Sequence, residues 1–294
     1  MNWMKFRWLY LLISTIVIGS GVFGLFKWGL NFGVDFKGGS IAEYKFEKEI
    51  SVENIISGLD KEGIKVISVQ KLEGNTYLFK LNPLTTEERQ KTKAFLTESN
   101  KENAVDELRF ETVGPSVGPE LIKKTVYAIV VASSLILLWV AYQFKSIKFG
   151  TSAVLAMIHD SLVLVGSFAL LGHFFQAEID FLFVTAILTI LSFSVHDTIV
   201  VYDRVRETRK KIGGSMTEMA NMAISQTMVR SLNNSFTIIF MLTALILLGG
   251  SSIKWFAVAL LIGTVSGTYS SPFVAVSLLV TWDQIEKKIK KIKN

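Results

Sequence analysis

The sequence predicts a polytopic α-helical membrane protein, with six transmembrane helices and one extracytoplasmic α+β ferredoxin-like domain between the first and second helices. Three observations predict it. Half of the 294 residues are hydrophobic, and the mean hydropathy is +0.42, a balance typical of integral membrane proteins. Six apolar runs are long enough for the roughly 20 residues that a span requires. Alternating and charged residues gather in one stretch, 31–124, after the first run.

The runs are Trp8–Trp28, Thr125–Phe144, Phe149–Phe175, Phe181–Tyr202, Ser231–Ile253 and Trp255–Trp282. The first has Lys5 and Arg7 before it and no small-residue cleavage site after a short apolar core. It reads as a retained anchor. Basic residues follow topology. Lys145 and Lys148 lie between the second and third runs, and Arg204, Arg206, Arg209, Lys210 and Lys211 follow the fourth. Lys287, Lys288, Lys290, Lys291 and Lys293 close the chain, while the short loops on the other side hold only Lys254. This asymmetry predicts a multi-pass protein of the cytoplasmic membrane with both termini cytoplasmic. The net charge of +6 therefore reflects topology and not a nucleic-acid footprint. The absence of cysteine excludes disulfides and thiolate chemistry, and three scattered histidines argue against a structural zinc site.

The organisation predicted is residues 1–30 as N-terminus and first span, 31–124 as the outward domain, 125–282 as a five-helix bundle and 283–294 as a basic tail. In the outward segment, Ser40–Glu47 alternates as a strand, and Ser51–Gly63 reads as a short helix with Ser51 as N-cap. Ile64–Leu72 and Thr76–Asn82 form a hairpin around Glu73-Gly74-Asn75. Thr85–Ser99 is helical, with Thr85 and Glu88 at capping-box spacing, and Asp106–Val113 is the last strand. The order βαββαβ is that of the ferredoxin-like unit. Two linkers bound it, VDFKGGS with Asp35, Gly38 and Gly39, and VGPSVGPE with Gly114, Pro115 and Gly118. Their glycines allow hinge conformations.

The chemistry concentrates in SFSVHDTIVVYDRVRE, Ser192–Glu207, where His196 and Asp197 interrupt an uncharged run. An acid at membrane depth costs a few kcal/mol or more without a partner or water, and its simplest use is to bind and release a proton. Ser194, Asp197 and Arg204 share one helix face, with Arg204 at the cytoplasmic interface. The fifth run opens with a second polar stripe of Arg230, Asn233 or Asn234, and Thr237. Arginine keeps its charge, so Arg230 is a fixed counter-charge and Asp197 the group that titrates. Asp160, beside His159 midway along the third run, adds to the polar core. Gly263 and Gly267, with Ser266 and Ser270 beside them, form small-xxx-small faces for close helix packing. Pro272 is expected to kink the last span.

These motifs resemble the SecF family, the protein-export membrane proteins that partner SecD, within the resistance–nodulation–division superfamily. The resemblance covers nearly the whole chain. Val34–Ser40 is similar to the family's D-F-x-G-G signature, and VGPSVGPEL to its G-P-x-V-G segment. Ser192–Glu207 is similar to its G-Y-S-x-N-D-T-V-V run, Ser225–Ser235 to Q-T-x-x-R-T-x-x-T-S, and Gly249–Phe273 to its closing span. Ser192 and Phe193 depart from the usual Gly-Tyr, His196 from Asn, and Ser231 and Asn234 from threonines. The resemblance implies a translocase subunit that uses the proton motive force to promote preprotein translocation, with Asp197 and Arg230 in proton coupling. It implies SecD, the SecY–SecE–SecG channel, YajC and the preprotein as partners, and no cofactor beyond the proton gradient. Rival readings are half of a small-molecule or lipid exporter and a passive assembly factor. An enzyme is not expected, since no H-E-x-x-H or paired catalytic aspartate motif supports one.

Overall fold

The computed structural model describes residues 1–99, 103–114 and 117–293. Among the described residues, six helices are long and apolar enough to cross a membrane, Trp3–Trp28, Gly118–Phe144, Ile147–Phe175, Phe181–Lys211, Met216–Leu248 and Ser252–Lys290. The chain divides into two compact units, one of Met1–Asn31 with Tyr127–Asn294 and one of Phe32–Val126.

The smaller unit begins with a helical turn, α2 (Val34–Lys37), which follows the first span α1 (Arg7–Trp28). β1 (Gly39–Phe46), α3 (Val52–Lys61), β2 (Val66–Lys71), β3 (Thr76–Leu81), α4 (Thr86–Ser99) and β4 (Val105–Val113) follow. The four strands form one antiparallel sheet in the order β2-β3-β1-β4. β1 is central because alternate residues Ala42, Tyr44 and Phe46 point into the core, where they join Leu59, Ile64, Phe79, Leu81 and Leu96. The β2–β3 hairpin turns at Gly74 and Asn75, with φ of 64° and 56°. That left-handed pair suits glycine and asparagine. The Thr85–Glu88 capping box is formed. Thr85 N–H donates to Glu88 Oε2 at 2.8 Å, and Glu88 N–H donates to Thr85 Oγ1 at 3.3 Å. Ser51 holds the N-cap position of α3, but its side chain makes no capping bond.

The first linker is more ordered than a hinge requires. Val34–Lys37 is helical, and the chain then reverses through Gly38 (φ 78°) and Gly39 (φ 144°). A Cβ at Gly118 would lie 2.0 Å from the Phe36 carbonyl oxygen, so the two glycine-bearing linkers pack against each other. Gly114 ends β4. Pro115 lies outside the described residues.

The larger unit consists of α1, part of α5 (Val117–Phe144), and then α6 (Ile147–Phe175), α7 (Phe181–Lys211), α8 (Met216–Leu248), α9 (Ser251–Ser270) and α10 (Val276–Lys293). α7 and α8 outrun their apolar segments. α7 continues from Tyr202 to Lys211, and α8 begins at Met216 behind a Ser215–Glu218 capping box. The fifth apolar run reaches Ile253, yet α8 stops at Leu248. Gly249 is extended there, and a Cβ on it would meet the Leu245 carbonyl oxygen at 2.2 Å. A π-helical turn, Ser271–Ala275, carries Pro272 and joins α9 to α10. Such a turn absorbs the donor that proline lacks.

Small residues set the closest approaches. Gly21 of α1 faces Gly166 of α6, and a Cβ on either would lie 2.6–2.7 Å from the other's Cα. Gly263 accommodates Ile190 of α7, and Gly267 rests on Ser194 of α7. α9 thereby lies tightly against the helix that bears Asp197.

Candidate functional site

Asp160, on α6, has no solvent exposure. Its Oδ2 accepts from Ser194 Oγ of α7 at 2.5 Å and from Ser270 Oγ of α9 at 2.6 Å. Its Oδ1 accepts from Ser266 Oγ of α9 at 2.6 Å and lies 3.0 Å from Nδ1 of the adjoining His159. Ser266 and Ser270 are one helical turn apart, so a single face of α9 presents both hydroxyls to the acid. The small residues expected to serve packing therefore divide. Gly263 and Gly267 admit α7, while Ser266 and Ser270 bind Asp160.

Asp197 follows one turn after Ser194 on α7 and is buried, with 7% exposure. Its Oδ2 accepts from Ser231 Oγ of α8 at 2.7 Å. Arg230, next to Ser231 in sequence, is exposed on α8 and makes no hydrogen bond or ion pair among the described residues. His196, Asn233, Asn234 and Thr237 are also exposed. Asn233 and Thr237 line a surface depression with Phe236 and Phe240. The predicted polar residues thus fall into two groups. Asp160, Ser194 and Asp197 are buried between helices, whereas His196, Arg230, Asn233, Asn234 and Thr237 lie on the surface of the chain.

The buried polar network extends beyond the predicted residues. Thr198 Oγ1 donates to Ser271 Oγ at 3.0 Å, and Ser271 Oγ donates to the Ser194 carbonyl at 3.2 Å. Further along, Ser152 Oγ and the Tyr202 hydroxyl are 2.7 Å apart, and Tyr202 also donates to the Ala275 carbonyl at 3.2 Å. The carbonyl of a π turn is open to such a bond because the regular helical ladder is interrupted there. For Ser266 and Ser270 the signal is the small-residue pattern itself, which does not distinguish a hydroxyl that packs from one that binds. Among the described residues no group of three His, Cys, Asp or Glu is placed to hold a metal ion.

The fold and site define a class, a six-span membrane protein with a polar seam of carboxylates and serines inside its helical bundle. Comparison with known proteins makes this specific. Residues 91–285 match the model of the protein-export membrane protein SecD/SecF C-terminal family, and residues 23–50 match that of the SecD/SecF GG motif. The chain is 41% identical to the protein translocase subunit SecF of Thermobaculum terrenum, over 95% of this chain and 93% of that one. It is 38% identical to the SecF of Sebaldella termitidis, over 99% and 94% of the two chains. The crystal structure of SecDF from Thermus thermophilus superposes with a TM-score of 0.82 at 33% identity, covering 97% of this chain and 39% of that one. A second SecDF structure, in a form titled super-membrane-facing, gives 0.70 over 100% of this chain and 40% of the other. The chain belongs to the SecD/SecF family, and within it to the SecF group.

Proposed function

We propose that this chain serves as the SecF subunit of a Sec protein translocase and uses the proton motive force, together with SecD, to promote preprotein translocation across the cytoplasmic membrane. The observation that carries the reading is the setting of Asp197. It is a buried acid on a membrane helix, and its hydrogen-bond partner is a neutral hydroxyl. Protonating it removes a charge from the membrane interior without breaking an ion pair. Releasing the proton restores a charge for which Arg230, one residue from Ser231, is the nearest cation in sequence on α8. A turn of α8 that brings Arg230 toward ionised Asp197 gives a second state. One proton moving through 100 mV supplies about 2.3 kcal/mol, enough for a small displacement per cycle.

The antiparallel order β2-β3-β1-β4, with α3 and α4 as crossovers, supports a ferredoxin-like domain. Charge asymmetry supports placing it outside the membrane with both termini in the cytoplasm. Residues 31–124 would then form the outward domain, 125–282 the bundle, and 283–294 a cytoplasmic tail. The exposed stripe of Arg230, Asn233, Asn234 and Thr237 supports a SecD partner, since these side chains are costly against lipid. Membership of the family supports contacts with SecY–SecE–SecG, YajC and the preprotein.

The test is preprotein export in membrane vesicles holding this chain and its cognate SecD, with and without a proton gradient. Asp197→Asn is expected to abolish the gradient-dependent part while the complex still assembles. Unchanged export would make Asp197 structural and the chain a passive assembly factor.

A further inference from the structure

Asp160 is too completely bonded to be merely another polar residue of the seam. Three serine hydroxyls and His159 Nδ1 surround its two oxygens, two on each. A carboxylate has about four lone-pair sites, so this shell suits the ionised acid and leaves no acceptor free for an acidic proton of its own. The serines satisfy its hydrogen bonds but bring no charge. An ion so enclosed costs several kcal/mol unless it is balanced.

The group that can balance it is His159. Its imidazole is buried, and its Nε2 has no hydrogen-bond partner among the described residues. Ser14 Oγ of α1 is likewise buried, beside the Tyr269 hydroxyl of α9. From α9, the Tyr269 ring stands 6.4 Å from the imidazole, and its hydroxyl donates to the Tyr10 carbonyl of α1 at 2.7 Å. Along α7, which meets Asp160 at Ser194, the titratable groups that follow are Asp197, one turn on, and the Tyr202 hydroxyl beyond it. Asp283 and Glu286 of α10 are engaged by Lys148, three turns from His159 along α6. Among the described residues, none of these groups supplies a positive charge to His159.

We propose that the His159–Asp160 pair is a second proton-binding site in the bundle, with Asp160 the fixed anion and His159 Nε2 the atom that takes up and releases the proton. With Nε2 protonated the pair is neutral, and with Nε2 bare it carries one negative charge. The ligand is a proton, and no bond other than N–H is made or broken. A charge change here acts on α7 and α9 together, because the three serines on Asp160 come from those two helices. The proposal does not depend on the coupling role given to Asp197.

The full-length chain, labelled with imidazole-¹⁵N histidine and reconstituted in lipid nanodiscs, tests it by nitrogen NMR. The chain has three histidines, so the His159 signals are those lost in His159→Gln. Should that variant not fold, His173→Gln and His196→Gln identify the other two sets. The expected result is a His159 Nε2 resonance that moves between its protonated and unprotonated positions from about pH 5 to pH 9. Its midpoint should change in Asp160→Asn, or in Ser266→Ala if the asparagine variant does not fold, and the titration should persist in Asp197→Asn. A His159 Nε2 resonance fixed at one position across that range overturns the proposal, whatever the export assay says of Asp197.

Discussion

Glu107, in the smaller unit, is held by a cation, whereas Asp160 and Asp197, in the bundle, are held by hydroxyls. Arg89 is ion-paired with Glu107, which also accepts from the Tyr44 hydroxyl at 3.2 Å. A permanent cation holds an acid ionised. Inside a membrane the same arrangement would fix the charge and leave nothing to switch. A single hydroxyl orients a carboxylate without deciding whether it stays charged. The two bundle acids then differ in degree. Asp160 has three serines and a histidine, while Asp197 accepts from one serine and borders the exposed Arg230. The first arrangement resembles a fixed structural anion, the second an acid left free to change.

The sharpest way to break this contrast is to remove each acid in turn. Asp160→Ala leaves three buried hydroxyls without their acceptor, and a loss of about 3–5 kcal/mol is expected, the scale for orphaning partners of a buried charge. The readout is the yield of monodisperse, folded chain and its melting temperature in detergent. Asp197→Ala orphans one hydroxyl and should cost roughly 1–3 kcal/mol. Equal losses would erase the distinction between the two sites.

A smaller effect is expected where α1 supports the helix carrying Asp160. Gly166→Ala places a Cβ 2.6 Å from Gly21 Cα. Backbones must separate, at a cost of about 1–3 kcal/mol. Hydrogen exchange should quicken in α6 around Gly166, with α8 unaffected. Unchanged exchange in α6 would mean that α1 does not brace the Asp160 site.

Ser231→Ala isolates the weaker of the two arrangements. In membranes such a bond contributes on average about 0.6 kcal/mol, so assembly should survive. Gradient-driven export should change its pH dependence, because Asp197 loses its hydroxyl donor. Export identical to wild type at every pH would remove Ser231 from the coupling site.

Much of this was legible in the chain, for identifiable reasons. Spans are readable because about 20 consecutive apolar residues have few other uses. The Gly74-Asn75 turn and the Thr85–Glu88 box are local chemistry, and both formed where residue type placed them. Asp160 and Asp197 stood out as charges within apolar runs. Their partners were not legible. Ser266 and Ser270 are 106 and 110 residues from Asp160, and nothing local separates a serine that packs from one that donates. Nor does helical periodicity say which face a neighbour covers, so the stripe from Arg230 to Thr237 gave no sign that it lies on the surface of the chain. The end of α8 was missed because hydropathy ignores a Gly-Gly pair that the backbone does not.

The smallest expected effect completes the comparison, in the one acid held by a cation. The hydrogen bond from Arg89 holds the Glu107 carboxyl below the usual carboxylate range, with Tyr44 adding to it, although burial opposes the shift. A lowered folded value contributes stability that is present above the unfolded value, about 4.3, and is lost as pH falls through the folded one. Tyr44 has the opposite sign. Burial, followed by the charge of Glu107, pushes its hydroxyl up. Its contribution is present below the unfolded value of about 10 and is lost as pH rises through the folded one. In the full chain, amide protection of β1 and β4 should therefore weaken at both extremes. Glu107→Gln should flatten the acid limb and Tyr44→Phe the alkaline limb, while α6 and α7 keep their own pH response. If Glu107→Gln leaves the acid limb of the sheet intact, the Arg89 pair is not what holds that acid, and the contrast between cation-held and hydroxyl-held carboxylates loses its reference point.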